Sequence, residues 1–174
     1  MNINDAKIAV LLGGIGSERE ISIQSGTCIA DALRNAGVNI VTSDISPDDL
    51  SILDDETIDL FFLALHGKFG EDGQLQSILE NRNLKYTGSG SEASELAFNK
   101  MKSKAAFKES GIKYPKAVEY ELSSVDEKLK DDLWQMSEKF VVKPIEQGSS
   151  VGINIVDCAD DAIEKAKECF EEFG

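Results

Sequence analysis

One segment near the N-terminus restricts the possible folds more than any other. Residues 7–12, KIAVLL, are apolar almost without interruption, as expected for a strand that is covered on both faces. A glycine-rich turn at 13–16 ends the run, and Ser17 with Glu20 forms a capping-box pattern that predicts a helix start. Further strands are predicted at 39–44 and 59–65. This strand–helix–strand order predicts a parallel sheet with right-handed crossovers, and hence an α/β fold.

The first predicted helix carries apolar residues at helical spacing, which are expected to face the sheet: Ile21, Cys28, Ile29, Ala32 and Leu33. Farther along, helices are predicted at 74–81, 91–98 and 100–109, with a short strand at 84–86. Residues 1–98 are therefore interpreted as one Rossmann-like parallel-sheet domain.

The character of the chain changes in the second part, 99–174. An extended segment is predicted at 112–120, a charged amphipathic helix at 125–137, two strands around a polar loop at 140–156, and a last helix at 159–173. The order strand, helix, strand, loop, strand, helix predicts a small α+β unit with three strands. A sheet of that size favours the interpretation that this second unit is incomplete.

Charge and composition exclude several classes of function. The chain has 18 basic and 32 acidic residues, a formal net charge of -14, which argues against a nucleic-acid-binding surface or a basic membrane anchor. No apolar stretch approaches the length of a transmembrane helix. The 3 cysteines lack metal-binding spacing and are interpreted as reduced thiols of a cytoplasmic protein. A single histidine excludes a histidine-based metal cluster.

A glycine-serine loop follows a β-branched strand in the second part. Lys143 comes after Phe-Val-Val in a run that is expected to be buried, where a lysine usually has an anionic partner. Glycine and successive backbone N–H groups could hold a polyphosphate with that lysine, but on spacing alone a hairpin with an ordinary turn is the favoured interpretation. Neither the GxxxxGK[ST] loop nor GxGxxG is present, since Arg19 stands where the third glycine would fall.

Two polar residues follow predicted parallel strands, where ligand sites in such sheets lie. Glu18 could hold a substrate ammonium group or merely cap the helix. His66, in a loop with three glycines, could orient a substrate carboxylate or merely bond a backbone carbonyl. Lys102 and Lys104 are interpreted as solvated surface charges.

Five segments together resemble D-alanine–D-alanine ligases of the ATP-grasp superfamily: residues 10–26, 63–80, 86–90, 99–104 and 141–153. The resemblance implies an N-terminal ligase domain at 1–98 and the first, truncated part of an ATP-grasp domain at 99–174. It also implies that Glu18 holds the ammonium group of the first D-alanine and that His66 lies beside that substrate.

For the nucleotide, the resemblance implies that Lys100 and Lys143 contact ATP, mainly its phosphates. Ser149 would join Glu18 in the catalytic hydrogen-bond network. The loop that closes over the phosphates would comprise Gly148, Ser149, Ser150, Val151 and Gly152.

The activity implied by the resemblance is ATP-dependent ligation of two D-alanines through an acyl phosphate, for peptidoglycan precursor synthesis. Mg²⁺ would be required, with its ligands expected beyond residue 174 and none in this chain. We therefore expect an inactive fragment, a possible homodimer when complete, without nucleic-acid or membrane partners. The acceptor stays open among D-alanine, D-lactate and D-serine. The alternatives are a non-catalytic ligand-binding module or another ATP-grasp carboxylate–amine ligase, the latter disfavoured by residues 18–22 and 66–73.

Overall fold

The computed structural model describes residues 6–121 and 126–173. The chain forms two compact units, and the boundary between them along the chain lies between Phe98 and Asn99. The first unit contains, in chain order, β1 (Lys7–Gly13), α1 (Arg19–Asn35), β2 (Asn39–Ile45), β3 (Leu60–Leu63), α2 (Gln74–Asn81) and α3 (Ser91–Phe98), with a short 3-10 helix at Ser51–Asp54. The second contains α4 (Lys100–Glu109), α5 (Asp126–Trp134), β4 (Phe140–Val142), β5 (Asn154–Val156) and α6 (Ala159–Phe173).

The sheet of the first unit is parallel and has the order β2-β1-β3. Its central strand is buried on both faces, because Ala9 and Leu11 belong to one apolar cluster whereas Ile8 and Val10 lie in clusters on the other side. The predicted α/β fold with a parallel sheet and a doubly covered first strand is confirmed. The carboxyl ends of β1 and β3 lie side by side, which brings the loops after them to one edge.

Helix α1 differs from its sequence-based prediction in two ways. It begins at Arg19 with Glu18 in the N-cap position and without a side-chain cap, so the predicted Ser17–Glu20 capping box is wrong. Its buried residues are Ser22, Gly26 and Ala30, whereas three residues predicted to face the sheet are exposed: Ile21 (54%), Cys28 and Ala32. The reason is close packing: a β-carbon at position 26 would lie 2.5 Å from the β-carbon of Leu12.

The third strand is shorter than predicted, ending at Leu63 rather than at 65. The predicted strand at 84–86 is also wrong, because the described residues form only an isolated parallel bridge between Phe61 and Tyr86. In that bridge Phe61 donates its N–H to Lys85 O at 2.8 Å and accepts from Thr87 N at 3.0 Å. The predicted helices at 74–81, 91–98, 100–109 and 159–173 are confirmed residue for residue.

The second unit has a two-stranded antiparallel sheet, β4-β5, within the part of the chain that the structure describes. The three-stranded sheet predicted for it is wrong there, since residues 112–121 form no strand. Proline at 115 has no N–H to donate to a ladder, which disfavours pairing at that point. Helix α5 ends at Trp134, three residues before its predicted end, and its predicted first residue, Val125, lies outside the described residues.

Only one face of the β4-β5 sheet is covered. Phe140, Val142 and Val156 pack against a cluster that α5 and α6 provide. On the other face, Val141 and Ile155 are paired across the strands and are 55% and 76% exposed. The run before Lys143 was expected to be buried. This expectation is wrong for Val141, whose side chain lies on the uncovered face.

None of the described helices is both long enough and apolar enough to span a bilayer.

Candidate functional site

The first group of candidate residues lies at the sheet edge where β1 and β3 end. Glu18 immediately precedes α1 and is only 6% exposed. Its Oε2 atom is fully buried and has no hydrogen-bond partner among the residues that the structure describes. Gly67 packs against this carboxylate, and a β-carbon at that position would overlap Oε2. The side chain of Glu18 makes no hydrogen bond to the N–H groups at the start of α1, so the capping role considered for it is wrong.

Serines on α1 connect the backbone at the start of the helix to the loop after β3. Glu18, Ser22 and Ser25 are spaced i, i+4 and i+7, so they lie along one helix face. Buried Ser22 donates its hydroxyl to Glu18 O at 3.2 Å and accepts the His66 N–H at 2.8 Å. The hydroxyl of Ser22 therefore fixes the start of the helix and the start of the histidine loop together.

His66 is held from both sides of its ring. Ser25 Oγ lies 3.0 Å from Nε2, and Glu71 Oε1 lies 3.5 Å from Nδ1. The other oxygen of Glu71 accepts the Gly67 N–H at 2.9 Å. A carboxylate acceptor at Nδ1 favours a proton on that nitrogen and leaves Nε2 beside a hydroxyl. The ring bonds side chains rather than the backbone carbonyl considered above, and its side chain is 36% exposed.

The structure thus brings Glu18 and His66 together, as predicted for loops at one sheet edge, and adds three residues that the sequence did not single out. Ser22, Ser25 and Glu71 complete the hydrogen-bonded group. The helical spacing of the serines from Glu18 was the available signal. A buried carboxylate beside an imidazole suits a zwitterionic amino acid, since the carboxylate attracts an ammonium, and an imidazolium, which carries a proton on both nitrogens, can donate Nε2–H to a carboxylate.

The second group lies in the loop between β4 and β5. Lys143 is exposed and forms no ion pair with any described residue, contrary to the anionic partner expected from the sequence. Ser149 and Ser150 are both exposed and left-handed, with φ of 46° and 64°. Val151 donates its N–H to Gly148 O at 3.0 Å, which closes the turn. The loop therefore has a defined, strained shape with a free ammonium group at its start.

Lys100 at the start of α4 contacts the same loop. Its Nζ donates to Gln147 O at 2.7 Å and to Ile145 O at 3.2 Å. Burial, and then the charge of Lys143, lower the pKa of the Lys100 ammonium, while Glu146 opposes that shift. Because the two ammonium groups of Lys100 and Lys143 repel each other, an anion bound near both would be stabilised.

Lys104 is not the solvated surface charge that the sequence suggested. Its ammonium donates to Pro115 O at 2.8 Å and lies 5.3 Å from the centre of the Tyr114 ring. Burial and the charge of Lys143 lower its pKa. Lys102 is exposed, as predicted.

The candidate residues divide between the two units. Glu18 and His66 belong to the first unit, whereas Lys100, Lys143 and the loop at 148–152 belong to the second. Among the described residues, no cluster of histidine, cysteine, aspartate or glutamate could hold a metal ion.

The chain is similar to known proteins over most of its length. Residues 49–89, which include the His66 loop, match a family model described as "D-ala D-ala ligase N-terminus". A D-alanine–D-alanine ligase from Geotalea uraniireducens is 39% identical over 164 residues, which are 94% of this chain and 52% of that protein. The chain spans about half the length of the curated relatives that it matches.

Solved structures give the same result. The crystal structure of a D-alanine–D-alanine ligase from Bacillus anthracis superposes with a TM-score of 0.82 at 34% identity, covering 96% of this chain and 54% of that one. A second structure of the Bacillus anthracis ligase, complexed with ATP, has a TM-score of 0.81 at 30% identity and covers 96% and 55%.

Proposed function

Because the chain belongs to the D-alanine–D-alanine ligase family in sequence and fold, we propose that it carries two parts of a ligase. The first unit would bind D-alanine, and the loop of the second would cover the phosphates of ATP. The complete reaction would join two D-alanines, as the names of the relatives indicate for those proteins.

The observation that carries this proposal is the buried, unpartnered Oε2 of Glu18. Buried polar atoms are nearly always hydrogen-bonded, so an orphan carboxylate oxygen indicates a missing donor. The ammonium of D-alanine supplies both the donor and the opposite charge. His66, whose ring contacts Ser25 and Glu71, would receive the amino acid's carboxylate.

In the proposed reaction, a carboxylate oxygen of the first D-alanine attacks the γ-phosphorus of ATP, and the bond to the ADP oxygen breaks. The amine of the second D-alanine then attacks the acyl carbon of the resulting acyl phosphate, inorganic phosphate leaves, and the new amide nitrogen loses a proton. Glu18 and His66 would orient the first substrate. Lys100 and Lys143 would offset negative charge on the phosphates, and the loop at 148–152 would exclude water.

Mg²⁺ would supply further charge neutralisation on the phosphates. The described residues offer no cluster for it, so no step is assigned to the metal here. Since the reaction consumes ATP and builds a peptidoglycan precursor, we assign it to the cytoplasm. A homodimer stays a prediction, which sedimentation of the purified protein would check.

The test is binding of D-alanine by wild type, Glu18→Gln and Glu20→Gln. Glu18→Gln removes the charge but keeps the size of the side chain, and should weaken binding about tenfold to a hundredfold, the usual effect of one hydrogen bond to a charged group. Glu20 is exposed on the same helix turn, so Glu20→Gln should bind like wild type. Calorimetry or an NMR titration measures the affinities. Equal affinities for Glu18→Gln and wild type would remove Glu18 from the site.

A further inference from the structure

Asn99 performs two tasks at once at the start of the second unit. Its Oδ1 accepts N–H bonds from Met101 at 3.1 Å and Lys102 at 2.9 Å, which is the ordinary work of an N-cap for α4. Its Nδ2 donates to Glu146 Oε1 at 2.7 Å, although the two residues are 47 positions apart. The second bond is not needed to cap a helix.

Lys100, the next residue, adds three bonds to the same segment of the loop. Its backbone N–H and its ammonium both donate to Ile145 O at 3.2 Å, and the ammonium also donates to Gln147 O at 2.7 Å. We name this set of contacts the α4 clasp: Asn99 and Lys100 on the helix, and Ile145, Glu146 and Gln147 on the loop.

The α4 clasp ends where the left-handed part of the loop begins. Gly148 follows Gln147 directly, and Ser149 and Ser150 then adopt positive φ, a conformation that non-glycine residues keep only where the surroundings enforce it. Within the turn itself, backbone bonds run from Val151 N to Gly148 O and from Ile153 N to Ser150 O, at 3.0 Å and 3.4 Å. The α4 clasp therefore holds the three residues that lead into the turn.

We propose that Asn99 is a positioning residue for the phosphate-covering loop, acting through Glu146 and together with Lys100. The proposal rests on the function proposed above, because the loop matters only if it covers phosphates. Lys100 then has a partly structural role, since its ammonium group donates two hydrogen bonds to backbone carbonyls of the loop. Burial also lowers the pKa of this ammonium, which agrees with its enclosed place between the helix and the loop.

Three variants separate this role from helix capping. Asn99→Asp keeps the cap, because aspartate accepts the same N–H bonds, but it removes the amide donor and sets a carboxylate against Glu146. Glu146→Gln keeps an oxygen that can accept from Asn99. The double variant Asn99→Asp/Glu146→Gln restores the bond with donor and acceptor exchanged.

Two readouts are compared in the 174-residue chain. The first is hydrogen exchange of the Val151 N–H, which reports the loop without any ligand. The second is the affinity for inorganic tripolyphosphate, followed by amide shifts of the loop. Asn99→Asp should speed the exchange and weaken the binding about threefold to tenfold, Glu146→Gln should stay within about twofold of wild type, and the double variant should recover. Denaturant unfolding should be the same for all, since the cap is kept.

The proposal is overturned if Asn99→Asp behaves as wild type in both readouts, or if the double variant is no better than Asn99→Asp. If wild type shows no saturable binding of tripolyphosphate, the proposed phosphate role fails, and the exchange of the Val151 N–H still decides whether the α4 clasp sets the loop. The two failures are thereby distinguishable.

Discussion

Gly67 shows how a single residue shapes the amino-acid site. It is buried with φ of +70° and lies so close to Glu18 that a β-carbon would overlap the carboxylate oxygen. Its N–H is bound to Glu71, so its position is fixed from the other side as well. Glycine at this position therefore allows the carboxylate to be buried beside the histidine loop.

Gly67→Ala should destabilise the protein by about 2–4 kcal/mol, which combines the left-handed backbone with the steric overlap. Gly37 provides the matched control, because its φ is +81° and a β-carbon there would meet nothing within 4 Å. Gly37→Ala should cost only about 1–2 kcal/mol. Urea unfolding measures both, and a smaller loss for Gly67→Ala than for Gly37→Ala would contradict the packing described here.

The site residues were predictable to different degrees. Glu18 and His66 follow strands whose ends meet at one edge, so the topology alone brings them together. The spacing of Ser22 and Ser25 from Glu18 indicates a shared helix face, but the sequence does not say that this polar face is buried, so spacing alone did not select them. The pairing of Glu71 with His66 depends on the course of a loop, which no periodic pattern describes.

At the level of elements, the helices were more predictable than the strands. Helices carry local spacing and end signals, whereas a strand needs a partner that is distant in the chain. Residues 84–86 have the composition of a strand but reach the sheet through one bridge only. The start of α1 was misplaced because the capping box is a local signal, whereas the backbone of Glu18 is bonded to buried Ser22.

The one-sided sheet of the second unit gives a prediction with an internal control. Ile163 on α6 is 7% exposed within the cluster that covers β4-β5, whereas Ile155 on the open face is 76% exposed. Ile163→Ala should destabilise this unit by about 2–4 kcal/mol, and Ile155→Ala should change its stability by less than about 0.5 kcal/mol. Thermal or urea unfolding of the two variants and of the wild-type chain would measure both changes in stability. Equal losses would mean that the second face is covered too.

For the whole molecule, the acidic composition gives no indication that three lysines lie in one region of the second unit. The formal net charge is -14, yet the charge of Lys143 lowers the pKa of both Lys100 and Lys104, so these three cations share one region of the second unit. A local positive field of this kind can attract a polyphosphate to an acidic protein. Net charge argues against a nucleic-acid-binding surface but carries no information on this cluster.

At the scale of the whole molecule, we propose amino-acid binding for the first unit and phosphate binding for the second. Each unit has its own core and its own group of candidate residues. The sequence predicted this division through five separated motifs. It could not predict the orphan oxygen of Glu18, which results from burial between a helix start and a loop after a different strand.

The most direct test of this account is an NMR titration of the wild-type chain with D-alanine, with L-alanine as the control. Saturable amide shifts are expected for Ser22, Ser25, His66 and Gly67, and the amides of the loop at 148–152 should stay unchanged. L-Alanine can place its ammonium and carboxylate on the same two residues, with its methyl group and α-hydrogen exchanged, so weaker shifts with L-alanine would reveal a third contact at the methyl group. Absence of saturable shifts at these amides with D-alanine would contradict the assignment.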